Sequence, residues 1–287
     1  MTDITALIIT KNEEKNIVEC IKSISNFASR ILVIDSGSDD RTQEVARNLG
    51  AEVYFHAFET HARQRNWALE NLNIKTKWIL RLDADERFTP ALCKELEEKM
   101  TIHENDDVNG FVLEAWLYFM GKCLKYGGSR KKKLMVFKTG KGYIEDRKMD
   151  EHTLLTEGRA EEIKEKFLHY DFKDLTTYIN KLNWYATREM QDYFLDKESA
   201  KSFQGENGEI SRTRKLKFGL YYRFPMFIRA WMLFIFNYYF KGGFLNGKEG
   251  YIYTYLYSRF YRTLVDAKIY EQMKFSKEFE KMEDLKS

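Results

Sequence analysis

Four short apolar runs, 4–9, 31–34, 52–55 and 78–82, pass through the start of the sequence at intervals too regular for an irregular chain. They are rich in β-branched residues, as strands buried on both faces of a parallel sheet require. Between the first two, Ile17, Ile21, Ile24 and Phe27 recur at helical spacing, and Val45, Ala46 and Leu49 do so between the next two, where Gly50 supplies a helix stop. Strand, helix, strand, helix, strand in this order winds as right-handed βαβ units, with the sheet covered on both sides. The first half of the chain is therefore expected to be a Rossmann-like α/β domain.

Such a sheet binds ligands at the carboxyl ends of its strands. Polar clusters stand at those places: Thr10-Lys11-Asn12-Glu13-Glu14 after the first run, Asp35-Ser36-Gly37-Ser38-Asp39-Asp40 after the second, and Asp83-Ala84-Asp85-Glu86 after the fourth. No GxGxxG follows the first run and no Walker A lysine loop is present, which disfavours a dehydrogenase-type dinucleotide site and a P-loop. Asp83 and Asp85 flank one alanine, and two carboxylates this close repel unless a cation with oxygen ligands relieves them. An isolated acidic pair more often caps a helix, and it is the position at a strand end that favours the metal reading.

From 108 to 155 the apolar runs shorten (111–113, 134–137) between glycine pairs, the pattern of mixed or antiparallel strands extending the sheet. Leu175, Leu182, Tyr185, Met190 and Phe194 indicate a helix beyond them, and the polar loop 202–211 marks a boundary. The expected organisation is a catalytic domain over 1–205 and a C-terminal helical segment over 206–287.

Charge is segregated along the chain, although the net formal charge is only +3. Residues 210–248 hold eight Lys and Arg and no Asp or Glu, leaving −5 for the remainder, and 218–261 hold 18 of the 44 aromatic residues. An aromatic face beside Lys and Arg suits an amphipathic helix lying on an anionic membrane. The longest uncharged run, 230–240, is too short to span a bilayer, which takes about 20 apolar residues. A solvated helical core is the plain alternative. A nucleic-acid platform is disfavoured because no recognition module is visible. Three widely spaced cysteines argue against a disulfide framework, and the N-terminus lacks the basic and apolar regions of a signal peptide. The expected location is cytoplasmic, at the inner face of the membrane.

Four ordered motifs, ALIITKNEEKNI (6–17), VIDSGSDDRT (33–42), QRNWAL (64–69) and WILRLDADE (78–86), resemble those of glycosyltransferase family 2, in its branch of lipopolysaccharide-core and capsule sugar transferases. The segment GGFLNGKEGYIY (242–253) resembles the C-terminal part of that branch. The resemblance implies the GT-A fold, with a mixed central sheet and an inverting, metal-dependent transfer from a UDP-sugar to a lipid-linked or membrane-embedded glycan. It implies that Thr10, Asn12 and Glu13 line the nucleoside pocket and that Asp35 accepts from the uracil or ribose. Gln64 and Arg65 would lie beside the base or diphosphate, and Asp83 near the ribose. Asp85 would bind Mg²⁺ or Mn²⁺, and His169 matches a histidine of the branch that can join the metal.

Inversion also needs a carboxylate that takes the proton of the attacking hydroxyl. The candidates are Glu145, Asp146, Asp150 and Glu151; the resemblance favours Glu151, with Asp150 standing where the branch has histidine. The run Arg130-Lys131-Lys132-Lys133 is either a solvated face or an approach to the diphosphate. Rivals from other classes are a nucleotidyltransferase acting on sugar phosphates and a non-catalytic membrane scaffold of the same fold.

Overall fold

The computed structural model describes residues 1–128, 130–146, 152–199 and 221–284. Asp150, Glu151, the loop 202–211 and the basic stretch 212–217 lie outside the described residues. The chain packs as two compact units, one formed by Met1–Cys123 and Ser129–Asp171, the other by Leu124–Gly128 and Phe172–Ser287.

The first unit is built on a nine-stranded sheet. Its parallel half is β3 (Glu52–Phe55), β2 (Ala28–Asp35), β1 (Thr2–Thr10) and β4 (Trp78–Asp83), in that spatial order. Beyond β4 the sheet turns mixed. The strand β8 (Lys132–Lys138) runs antiparallel to β4 and to β6 (Val108–Phe119), and β11 (Arg159–His169) pairs parallel with β6. At the far edge the two-residue β5 (Glu86–Arg87) pairs antiparallel with β11, and β7 (Lys122–Leu124) pairs with β6 off the main path. A separate hairpin joins β9 (Gly142–Ile144) to β10 (Thr153–Leu155). This is the α/β architecture with a mixed central sheet that the sequence implies.

Helices cover the sheet where apolar spacing predicts them. In α1 (Glu14–Ile24), Ile17, Cys20, Ile21 and Ile24 form one buried stripe. They pack with Ile4, Ala6 and Ile8 of β1 and with Leu80 and Leu82 of β4. α2 (Thr42–Asn48) lies on the same side through Ala46. On the other face, Ala68 and Leu72 of α3 (His61–Asn71) and its C-cap meet Leu7, Ile9, Leu32 and Ile34. Each such side chain contributes roughly 1.5–3 kcal/mol on leaving water, which is why the strand centres are almost wholly apolar. α4 (Pro90–Ile102) starts with Thr89, whose hydroxyl accepts from Leu92 N, and with Pro90 at the first position, both good helix openers. Cys20 is buried, and Cys93 and Cys123 are half-buried.

The second unit is helical: α5 (Leu175–Ser199), α6 (Ile228–Ile235) with a π-helical continuation Phe236–Phe240, α7 (Gly247–Thr254) with a second π-helical stretch Tyr255–Phe260, and α8 (Tyr261–Asp284). α5 packs on α8, so the chain divides by packing at 171/172, earlier than the 205/206 expected from the polar loop. Buried polar groups hold these helices. Glu189 of α5 accepts from Tyr222 Oη at 3.1 Å, from Tyr261 Oη and from Arg262 Nη1 at 2.6 Å, and Arg229 of α6 pairs with Asp266 of α8.

One turn fixes where β11 begins. Gly158 has φ +73°, and a Cβ built there would lie 2.3 Å from Asp107 O and 2.5 Å from Asn109 Nδ2. Gly158→Ala combines left-handed strain with a clash against backbone, and is expected to destabilise the first unit by about 2–4 kcal/mol. Thermal unfolding of the variant checks this.

Candidate active site

Register alone brings the polar strand ends together. Thr10 lies opposite Asp35, and Ile9 opposite Asp83, so the carboxyl ends of β1, β2 and β4 form one continuous edge. The loops behind β1 and β2 are stitched to each other. Asn12, at φ 54°, donates its backbone N–H to Ser38 Oγ and accepts from Asp39 N, both at 2.8 Å. Asn tolerates this left-handed conformation better than most residues. Glu13 donates its N–H to Thr42 Oγ1 at 2.8 Å, and its carboxylate accepts from Asn16 Nδ2 at 2.9 Å. Thr10 Oγ1 is buried and without a hydrogen-bond partner.

Asp35 is fully buried, and four donors converge on its carboxylate: Gly37 N at 2.8 Å, Ser38 N at 2.9 Å, Gln43 Nε2 at 2.8 Å and Ser38 Oγ at 2.5 Å. A carboxylate has about four acceptor sites. In this conformation Asp35 shapes its own loop, with three donors on Oδ2 and one on Oδ1.

Three consecutive residues of α3 reach three different places. Gln64 donates to Ile34 O at 3.1 Å and Ser36 Oγ at 2.7 Å, fixing the turn after β2. Arg65, 1% exposed, pairs with Asp83 Oδ1. Asn66 donates to Ile144 O at 2.7 Å and accepts from Ile144 N at 3.0 Å, so its amide stands in for a neighbouring strand to β9. Thr60 starts this helix, its hydroxyl accepting from Arg63 N. Arg63 in turn pairs at 3.0 Å with Asp146, one of the carboxylates considered as a base.

Asp83 and Glu86 form the inner acidic pair. Asp83 also meets Lys133 Nζ at 3.3 Å, and Glu86, 1% exposed, accepts from Lys133 Nζ at 2.5 Å and from Asp83 N at 2.9 Å. Burial would raise the Asp83 pKa, but Arg65, Lys133 and Arg81 outweigh it and hold this carboxyl well below its ordinary range. For Glu86 burial wins and the pKa is raised, against the pull of Lys133. Burial would lower the Lys133 pKa, yet Glu86 and Asp83 raise it. The basic run is thus not a uniformly solvated face. Lys133 enters the acidic cluster, Lys132 pairs outside with Glu162 at 2.6 Å, and the Arg130 guanidinium lies 4.6 Å from the Trp116 ring centroid.

Asp85 points to a separate group. Tyr170 N donates to Asp85 O at 2.8 Å where β11 meets β5, and this pairing sets His169 Nε2 3.4 Å from Asp85 Oδ2. Among the described residues, Asp85, His169 and Asp171 form a group whose donor atoms all lie within 4.8 Å of one another. Two carboxylates and an imidazole are a donor set suited to Mg²⁺ or Mn²⁺, and three protein ligands leave positions for oxygens of a substrate. Burial would lower the His169 pKa, but Asp85 outweighs it and raises it. Asp171 is absent from the sequence-based candidates. Its signal was its place two residues after His169, on the same side of an extended chain.

The first unit is thus an α/β fold with a mixed central sheet, and paired acids stand at the carboxyl edge of its parallel half. Residues 5–115 match the model of the family described as glycosyl transferase family 2. An uncharacterized glycosyltransferase of Rickettsia prowazekii (strain Madrid E) is 26% identical over 203 residues, covering 67% of this chain and 68% of that one. The lipopolysaccharide core biosynthesis glycosyltransferase LpsC of Rhizobium meliloti (strain 1021) is 27% identical over 191 residues, covering 64% and 69%. Among solved structures, glucosyl-3-phosphoglycerate synthase from Mycobacterium tuberculosis, in complex with Mn²⁺, UDP and glucosyl-3-phosphoglycerate, is 19% identical with a TM-score of 0.33. That match covers 40% of this chain and 44% of the other, less than half of each.

Two outcomes follow from the acidic cluster. Lys133→Met leaves the Glu86 carboxylate buried without its cation, and breaking a buried pair in this way costs about 3–5 kcal/mol. Urea unfolding should show that loss, and Lys133→Met/Glu86→Gln should recover part of it. For the outer group, a cation taking His169 Nε2 must displace the proton that Asp85 favours. Mn²⁺ affinity of the free protein should therefore rise with pH through the elevated His169 pKa and flatten above it. Calorimetric titration in buffers of different ionisation enthalpy should register the released proton, and His169→Gln should abolish that release.

Proposed function

We propose that the chain transfers a sugar from a UDP-sugar to a lipid-linked or membrane-embedded glycan, of the lipopolysaccharide-core or capsule kind, with inversion at the anomeric carbon. The observation that carries this reading is the group Asp85, His169 and Asp171 at the strand edge, a short way along the chain from Asp83, which Arg65 anchors. The name of LpsC supports the class of acceptor.

In this reading Asp85, His169 and Asp171 would hold Mg²⁺ or Mn²⁺, which stabilises charge on the departing nucleoside diphosphate. The protein's own residues do the rest. Thr10, with its unpartnered hydroxyl, and the backbone around Asn12 and Glu13 bind the nucleoside. Asp35 holds the shape of that loop, and Gln64 fixes its far side. Arg65 and Lys133 keep Asp83 ionised and oriented toward the ribose. Glu151, with Asp150 as the alternative, takes the proton of the acceptor hydroxyl as its oxygen bonds to C1 and the bond from C1 to the diphosphate breaks. The C-terminal segment 210–261 keeps the chain at the inner face of an anionic membrane.

A panel of UDP-, GDP- and ADP-sugars with Mn²⁺ tests the class and the donor together. UDP release from a UDP-sugar is expected, and Asp85→Ala should lower it about 10²–10³-fold, the range for losing one electrostatic stabiliser of a transition state. Pyrophosphate release from an NTP and a sugar phosphate would replace this reading with a nucleotidyltransferase, and turnover indifferent to Asp85→Ala would replace it with a scaffold. Retained anomeric configuration in the product, read by NMR, would refute single displacement.

A further inference from the structure

The helix running over 228–240 in the second unit is inverted relative to a helix of a water-soluble protein. Its inward residues include Arg229, 2% exposed, whose Nε donates to Asp266 Oδ1 at 2.9 Å, and Asn237, whose amide donates to Ser258 Oγ at 2.8 Å. Its outward residues are Ile228, Trp231, Ile235, Phe236, Tyr239 and Phe240, all exposed, with Phe240 at 78%. They follow the spacing of one helical face, so the chain presents a continuous apolar stripe to the outside and keeps its polar groups within. Phe244 and Leu245 extend it past the helix end. A stripe of this size on a protein surface marks an interaction site.

We infer that this stripe enters the apolar layer of one bilayer leaflet, with the helix lying along the membrane plane. The inference deepens the membrane part of the proposed function and does not depend on the identity of the donor. Three observations select lipid. The helix of 228–240 is about 20 Å long at 1.5 Å per residue, short of the roughly 30 Å apolar layer, and among the described residues no helix is long and apolar enough to cross a membrane. The exposed charged residues flanking the stripe within 221–248 are cations, Arg223, Lys241 and Lys248, and no Asp or Glu occurs in that stretch. That sign suits phosphate headgroups. A second copy packed on the stripe by two-fold symmetry would bring like charges toward one another.

Three arginines of this unit are engaged within the protein, whereas Arg223 is exposed. Arg229 is engaged by Asp266, Arg262 by Glu189, and the Arg259 guanidinium lies 4.0 Å from the Trp231 ring centroid. Apolar insertion is accordingly the main contribution of this stretch, and anionic lipid strengthens it without being required.

Flotation of the full chain with phosphatidylcholine vesicles, and with vesicles containing phosphatidylglycerol, tests the inference. Binding to both is expected, persisting at high salt. Phe236→Asp/Phe240→Asp should weaken it about tenfold or more, with far-UV circular dichroism and UDP-sugar hydrolysis unchanged, since both side chains are exposed. Quenching of Trp231 fluorescence by brominated lipid, read as the difference between the wild type and Trp231→Phe, reports insertion in the unaltered stripe. Binding only to anionic vesicles and lost at high salt, absence of Trp231 quenching, or flotation unaffected by the double variant would each overturn it. So would a dimer in solution that the double variant dissolves while vesicles capture nothing. Loss of hydrolysis with flotation intact would refute the donor reading and leave this one standing.

Discussion

A buried carboxylate beside a half-buried one costs several kcal/mol unless cations reach the pair, and the first unit is arranged so that they do. Asp83 and Glu86 are met by Arg65 from α3 and by Lys133 from β8, two elements far apart in sequence and on different neighbours of β4. The cluster therefore ties the parallel half of the sheet to its antiparallel half. It also leaves Asp85 apart from the neutralised pair. Two acids of the Asp-x-Asp-Glu stretch serve cohesion in this structure, and the middle one joins His169 and Asp171 in a group able to take a cation.

Much of this was legible in the sequence because it depends on local signals. β-branched runs gave β1 to β4, helical spacing gave α1 and α2, and the polar residues after the runs marked the edge where Thr10, Asp35 and Asp83 align. What was not legible depends on long-range pairing. β11 carries buried apolar side chains at Ile163 and Phe167 amid charged neighbours, and its register with β6 shifts between Glu162 and Lys166. A period-2 pattern interrupted in this way does not read as a strand. β5, two residues long, has no pattern at all, yet its pairing with β11 sets His169 beside Asp85. The part Asp35 plays in its own loop was not legible for a different reason. Two of its four donors are backbone N–H groups of its own loop, and residue types do not reveal where those point.

The second unit shows a comparable limit. Composition identified a basic, aromatic stretch suited to an anionic membrane surface. Helix packing assigns Arg229 of that stretch to the buried carboxylate of Asp266 and turns Trp231, Phe236, Tyr239 and Phe240 outward, while Phe234 stays buried. Glu189, on a helix placed by the sequence in the catalytic domain, gathers Tyr222, Tyr261 and Arg262 and belongs by packing with the C-terminal helices.

The triplet Gln64-Arg65-Asn66 has one more implication. Successive residues of an α-helix project about 100° apart, and here one projects to the turn after β2, the next to Asp83 and the third to β9. A substitution at any one of them loosens one attachment. Insertion of a single residue between Thr60 and Gln64 would rotate all three together, so α3 functions as an angular key whose phase matters more than its composition.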